Sequence, residues 1–240
     1  MQRLFEDEKN IVLNNPSLFL ERKLTTLFGA NAMSIYAMDI VKEEMCKERG
    51  YTRQDGSDYY IHCIEVTNTL LAFCVKDEDV ICAALLHDII EDVEGYTKIT
   101  IEKMFNPKVA KLVDIVTKDH DTDYHVHENM VEYLRKIRGD QDAAMIKTAD
   151  RMHNMMSLET KTFQQRYDKA LQTEKYYLPF FRECRYLYPR YENLFYMAWA
   201  QIEPLIFHIK TFYEALEKLE KLEKKEKKGK KGKMNEDEYK

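Results

Sequence analysis

The segment EDVICAALLHDIIED (residues 78–92) constrains this chain more than any other. From Val80 to Ile90 it is apolar nearly all round, interrupted by His87 and Asp88. A helix that is apolar on every face belongs in the centre of a fold, so other elements must cover it. The sequence predicts that helix over 78–91, with Asp77 or Asp79 as its N-cap. The covering elements read as helices too. Residues 31–49 carry Ile35, Met38, Val41 and Met45 at helical spacing and end near Gly50, and residues 59–75 carry Ile61, Ile64, Leu70 and Phe73. A short helix over 99–105 stops at Asn106-Pro107, and helices over 108–117, 127–138, 141–157, 163–178 and 190–214 follow. No stretch alternates as a strand does. Only 7 Gly and 5 Pro occur in 240 residues, too few turn formers for a sandwich or barrel. The fold class expected is all-α.

One domain is expected over residues 1–215. The remainder, 216–240, reads as a charged helix fraying into a solvated tail: from Glu217 onward ten Lys face seven Glu or Asp. The whole chain carries a net charge of −5, so no general basic field draws in nucleic acid. The opening MQRLFEDEKN has no apolar signal core, and no run of about 18 apolar residues would span a membrane. Five scattered cysteines without a C-x-x-C pair form neither a disulfide framework nor a zinc ribbon, which fits a reducing cytoplasm.

The chemistry sits where the central helix ends. Unpaired buried charge is costly, so four titratable groups after an apolar run call for a function. His87 and Glu91 are four apart, as are Asp88 and Asp92, which on one helix places each pair one turn apart on one face. His and Asp together make a nitrogen/oxygen ligand set for a divalent metal such as Mn, Fe or Zn. The segment IKTADRMHNMMSL adds Asp150, with Asn154 one turn on, and YIHCIEVTNTLL adds His62. The set His62, His87, Asp88 and Asp150 leaves positions for water and substrate on a six-coordinate ion. His153 reads as structural, because the face one turn on from Asp150 belongs to Asn154. His120, His125 and His127 read as an exposed polar connection.

The order His … His-Asp … Asp resembles that of the HD phosphohydrolase superfamily. AALLHDIIEDVEGYT, KVAKLVDIVTK, IKTADRMHNMMSL and TEKYYLPF together resemble the hydrolase domain of the RelA/SpoT family, and its single-domain small alarmone hydrolases in particular, over about residues 35–179. After Pro179 the sequence offers only helices and the tail, without room for the family's synthetase domain. The resemblance implies an HD-domain helical bundle that hydrolyses the 3′-pyrophosphate of (p)ppGpp to GDP or GTP and pyrophosphate. It implies one Mn²⁺ ion, or another divalent metal, held by His62, His87, Asp88 and Asp150. Glu91 and Asp92 match the acidic pair credited with activating water, Arg53 the arginine that stacks on the base, and Asn154 a nucleotide-contacting asparagine.

Two positions depart from the family pattern. Gln54 stands where a basic residue usually follows the base-stacking arginine, and Met156 where an arginine is usual; Ser157 keeps the hydroxyl of a usual threonine. Lys147, Lys161 and Arg166 are candidates to supply the missing charge to substrate phosphates. The departures keep related nucleotides open as substrates, (p)ppApp or NADPH, with a role as antidote to a toxic alarmone synthetase. A non-catalytic alarmone-binding module is the reading from another class. The expected partner is a small nucleotide, with neither membrane nor nucleic acid; the sequence leaves the oligomeric state open.

Overall fold

The computed structural model describes residues 15–158 and 161–237, so the MQRLFEDEKN stretch and the last three residues of the expected tail lie outside the described residues. In chain order the α-helices are α1 (Pro16–Phe28), α2 (Met33–Glu44), α3 (Tyr60–Ala72), α4 (Glu78–Leu85), α5 (Ile89–Asp92) and α6 (Lys98–Met104). They continue with α7 (Pro107–Val116), α8 (His127–Arg138), α9 (Gln141–Met156), α10 (Phe163–Gln172), α11 (Leu178–Leu187) and α12 (Glu192–Asp237). Among the described residues the only β pairing is an isolated antiparallel bridge between Thr52 and Asp58. The all-α expectation holds.

Helix α4 is the buried axis: every residue from Val80 to Leu85 has no exposed surface. It packs against α2, α3, α7 and α9, and α9 packs in turn on α3. The remaining helices close outward, α11 against α12 and α12 against α9 and α10. Short polar caps set the starts. The Asp77 carboxylate accepts from the Asp79 amide. Asn106 accepts from Lys108 and Val109 ahead of Pro107, and Asp140 from Asp142 and Ala143. Each satisfies amides that the first turn leaves unpaired.

The expected single helix over 78–91 is broken. Leu86 and Asp88 leave helical geometry (φ/ψ −93/6 and −102/−3), and the chain restarts as α5. His87 explains the break. Its Nδ1–H donates to the Ala84 carbonyl at 2.7 Å, the acceptor that the Asp88 amide would take in an unbroken helix. Asp88 and Asp92 keep their one-turn relation, since the Asp92 amide still donates to the Asp88 carbonyl at 2.9 Å.

Two helices were not anticipated. One is α1, capped by Asn15 with Pro16 in its first turn. The other is α11, which follows a π-helical turn at Thr173–Tyr177. The last helix continues through Pro204 to Asp237, across the span expected to fray.

Candidate active site

Three segments bring the chemistry together. His62 lies in the first turn of α3, His87 and Asp88 in the break after α4, and Asp150 on α9. His62 Nε2 is 3.2 Å from His87 Nε2, 3.6 Å from Asp88 Oδ2 and 3.2 Å from Asp150 Oδ1. His87 Nε2 is 3.1 Å from Asp88 Oδ2 and 3.9 Å from Asp150 Oδ1. Both imidazoles are buried to 1% exposure. Donors bound to one cation at about 2.1 Å lie about 3 to 4 Å from each other, as those of His62, His87 and Asp88 do, and Asp150 Oδ1 approaches the same two imidazoles. With His87 Nδ1–H given to Ala84, its Nε2 lone pair faces the cluster. Two imidazole lone pairs and two carboxylate oxygens at these separations repel unless a proton or a cation lies among them. The donor set therefore fits a divalent metal.

The electrostatics say the same. Burial lowers the His87 pKa, but Asp88 and Asp150 outweigh it and raise it to about 9. Burial would raise Asp88, and the two histidines instead hold it below the usual carboxylate range. Asp150 is held well below that range against the same burial, first by Lys147 and then by the histidines. The Lys147 ammonium lies 2.7 Å from Asp150 Oδ2, with both side chains buried. Asn154 Nδ2 donates to Asp150 Oδ1. Asp150 is thus held on both oxygens. Lys147, a candidate for substrate charge in the sequence, is committed to this carboxylate and lies away from the pocket described next.

Beside the cluster is a cavity of about 250 Å³ lined by Arg53, Gln54, Tyr59, Asn154, Ser157 and Lys161, among others. Arg53 comes from a tight turn in which Gly56 takes φ +84, a left-handed conformation that favours glycine. The Arg53 amide donates to the Ser57 carbonyl (2.9 Å) and the Gly56 amide to the Arg53 carbonyl (3.0 Å). Its guanidinium reaches across to the end of α9, donating to Ser157 Oγ at 2.8 Å. Arg53, Asn154, Ser157 and Lys161 are brought together. Arg166 is not among them: its Nε donates to the Lys161 carbonyl, and its side chain lines a separate groove with Phe163, His208 and Phe212.

Glu91 Oε2 accepts the Lys118 amide at 3.1 Å. The Asp92 carboxyl is pushed up to about 6, first by desolvation and then by the charges of Asp88 and Glu91. Three neighbours emerge only in the fold. Tyr59 donates its hydroxyl to Asp88 Oδ2 at 2.8 Å; its place three residues before His62 was the available signal. His153 Nδ1 lies 2.7 Å from His62 Nδ1. Lys118 joins Glu91 to the 117–126 connection. His127 is exposed and pairs with the Tyr176 hydroxyl at 3.1 Å, remote from the cluster.

A family profile described as an HD domain matches residues 37–183. The chain is 34% identical over 154 residues to "GTP pyrophosphokinase rsh" of Brucella melitensis, covering 62% of this chain and 19% of that protein. It is 31% identical over 128 residues to the guanosine-3′,5′-bis(diphosphate) 3′-pyrophosphohydrolase MESH1 of Drosophila melanogaster, covering 52% of this chain and 70% of that protein. The chain thus spans about a fifth of the Brucella relative. The solved structure of a metazoan ortholog of SpoT, described as hydrolysing ppGpp, superposes with a TM-score of 0.57 at 25% identity, covering 72% of this chain and 94% of that one.

Proposed function

Because this chain belongs to the HD domain family, we propose that its buried His/Asp cluster serves the metal-dependent hydrolysis of the 3′-pyrophosphate of (p)ppGpp, giving GDP or GTP and pyrophosphate. The observation that carries the reading is the convergence of His62, His87, Asp88 and Asp150, from three segments, with the two imidazole Nε2 atoms 3.2 Å apart and each carboxylate 3.1–3.9 Å from them, beside the Arg53 cavity. The name of the Drosophila relative and the description of the solved ortholog support the same substrate.

In this reading the four side chains hold one divalent ion, Mn²⁺ or another divalent metal. A cation there would neutralise phosphate charge and lower the pKa of an attacking water. The chain's own groups do the rest. Arg53 offers a flat cationic face to the purine, and Ser157 holds that face in place. Asn154 and Lys161 face the ribose and phosphates from the other wall. Asp92, raised toward neutral pH first by desolvation and then by the charges of Asp88 and Glu91, accepts the proton of the attacking water. The water oxygen bonds to phosphorus, the bond to the ribose 3′-oxygen breaks, and that oxygen leaves as the 3′-hydroxyl once it takes up the proton that the water gave to Asp92. Five free cysteines fit a cytoplasmic setting; among the described residues no helix is long and apolar enough to cross a membrane.

A second reading, hydrolysis of (p)ppApp or NADPH, draws on Gln54 in the cavity wall and on exposed Met156 nearby, where the family carries positive charge. Incubation of the full chain with Mn²⁺ and ppGpp, ppApp or NADPH in parallel tests both, with Asp88→Ala as control. Pyrophosphate release from ppGpp supports the main reading. Metal-loaded protein that leaves ppGpp intact and releases phosphate from NADPH overturns it.

A further inference from the structure

Each histidine of the cluster must present Nε2 inward, and each needs an acceptor for the proton on its Nδ1. For His87 that acceptor is the Ala84 carbonyl, part of the backbone. For His62 it is a side chain. His62 Nδ1 faces His153 Nδ1 at 2.7 Å, with the ring centroids 4.8 Å apart and the planes inclined by 50°. Two ring nitrogens this close share a single proton. His62 Nε2 lies 3.2 Å from His87 Nε2 and from Asp150 Oδ1; a cation held by that nitrogen would leave the shared proton on His62 Nδ1. His153 therefore accepts through Nδ1 and carries its own proton on Nε2.

We propose that His153 is a positioning residue: by accepting the Nδ1 proton of His62 it fixes the tautomer and ring angle with which His62 Nε2 meets a divalent cation. The inference rests on the metal role given to His62 above. The fold supports it by placing His153 on α9 between Asp150 and Asn154. Ser157 Oγ donates to the His153 backbone carbonyl at 2.8 Å while receiving Arg53. One short piece of helix therefore aligns a metal ligand, the acceptor for another ligand, and the partner of the base-stacking arginine. A ring that served only as packing would need no nitrogen at this contact.

The test compares His153→Phe, which keeps a ring and removes the acceptor, with His153→Asn, whose Oδ1 falls near the place of Nδ1. Co²⁺ binding to the full chain is read from its visible d–d absorption. The expected result is a loss of about 10- to 100-fold in affinity for His153→Phe, the usual scale for removing such a partner, and recovery in His153→Asn. Long-range ¹H–¹⁵N spectra of the zinc-loaded wild type, which need no variant to fold, are expected to show His62 protonated at Nδ1. Equal Co²⁺ affinity in wild type and His153→Phe overturns the positioning role alone, whereas a His62 proton on Nε2 in the zinc-loaded protein overturns it together with the place of His62 Nε2 in the ligand set. A wild type that binds no Co²⁺ overturns the metal reading with it.

Discussion

The imidazoles of His62 and His87 meet nitrogen to nitrogen, with their Nε2 atoms 3.2 Å apart and both rings buried. Side chains 25 residues apart in sequence adopt this contact only because Ala84 takes the His87 Nδ1 proton and His153 faces Nδ1 of His62. Both Nε2 atoms then face one spot, and a carboxylate oxygen of Asp88 and one of Asp150 lie within 3.9 Å of each. A packing core would separate such groups; a cation site collects them.

The two carboxylates should fail differently when removed. Asp150→Ala leaves the Lys147 ammonium buried without its carboxylate. It is expected to cost the metal-free protein about 3–5 kcal/mol, the scale for breaking a buried pair from one side, as well as metal binding. Asp88 is more open, its side chain 14% exposed against 5% for Asp150. Asp88→Ala should lose metal with a much smaller stability change. Urea unfolding beside metal titration checks the contrast, and equal destabilisation contradicts it.

Metal binding should release a proton. The His87 pKa is raised to about 9, so at pH 7 the ring is charged and must lose a proton to bind a cation. Affinity is expected to rise about tenfold per pH unit from 7 toward 9 and then level off. For stability of the metal-free protein the sign is opposite. A folded pKa raised above the unfolded value of about 6.5 contributes stability that is complete below pH 6.5 and lost as pH climbs through 9. Calorimetric titration in two buffers of different ionisation enthalpy counts the proton; identical heats would refute its release.

Activity should fall on the acid side through Asp92. Its carboxyl titrates at about 6, and a bound cation nearby lowers that further, so the acid limb of kcat/KM is expected at or below pH 6. Asp92→Asn should lower kcat by about 10²-fold with metal retained. Glu91→Gln removes the neighbouring like charge, so it should also slow the reaction and move the acid limb to lower pH. A pH profile unmoved by Glu91→Gln would speak against the coupling of the pair.

The reach of the sequence differs from element to element. Helical spacing found α2, α3, α7, α8 and α9, and Asp77, one of two caps expected for α4, marks its start, because amphipathic period and cap chemistry are local. The break at Leu86–Asp88 was invisible, since the apolar pattern runs straight through to Ile90 and only the His87–Ala84 hydrogen bond ends the helix. Convergence of His62 with His87 followed from the order of motifs, and their contact from tertiary packing. Tyr59 is one of 16 tyrosines, with nothing but its spacing from His62 to single it out. Lys147 read as a charge for substrate phosphates because no periodicity reveals that its whole turn of α9 is buried.

Arg53 should act on binding more than on chemistry. Arg53→Ala is expected to raise KM about tenfold with little change in kcat, as loss of a stacking cation would. Ser157→Ala, which frees the guanidinium from its 2.8 Å contact, should raise KM by a smaller factor. Steady-state kinetics over both variants decides; a fall in kcat at constant KM would place Arg53 in the chemical step.

Crystals of the full chain soaked in Mn²⁺ and measured at the manganese absorption edge bear most directly on the whole account. The expected map has one anomalous peak within about 2.2 Å of His62 Nε2, His87 Nε2, Asp88 Oδ2 and Asp150 Oδ1, the bond length such ligands give. A map with no peak there, or with manganese bound elsewhere while these four side chains keep their contacts, would contradict it.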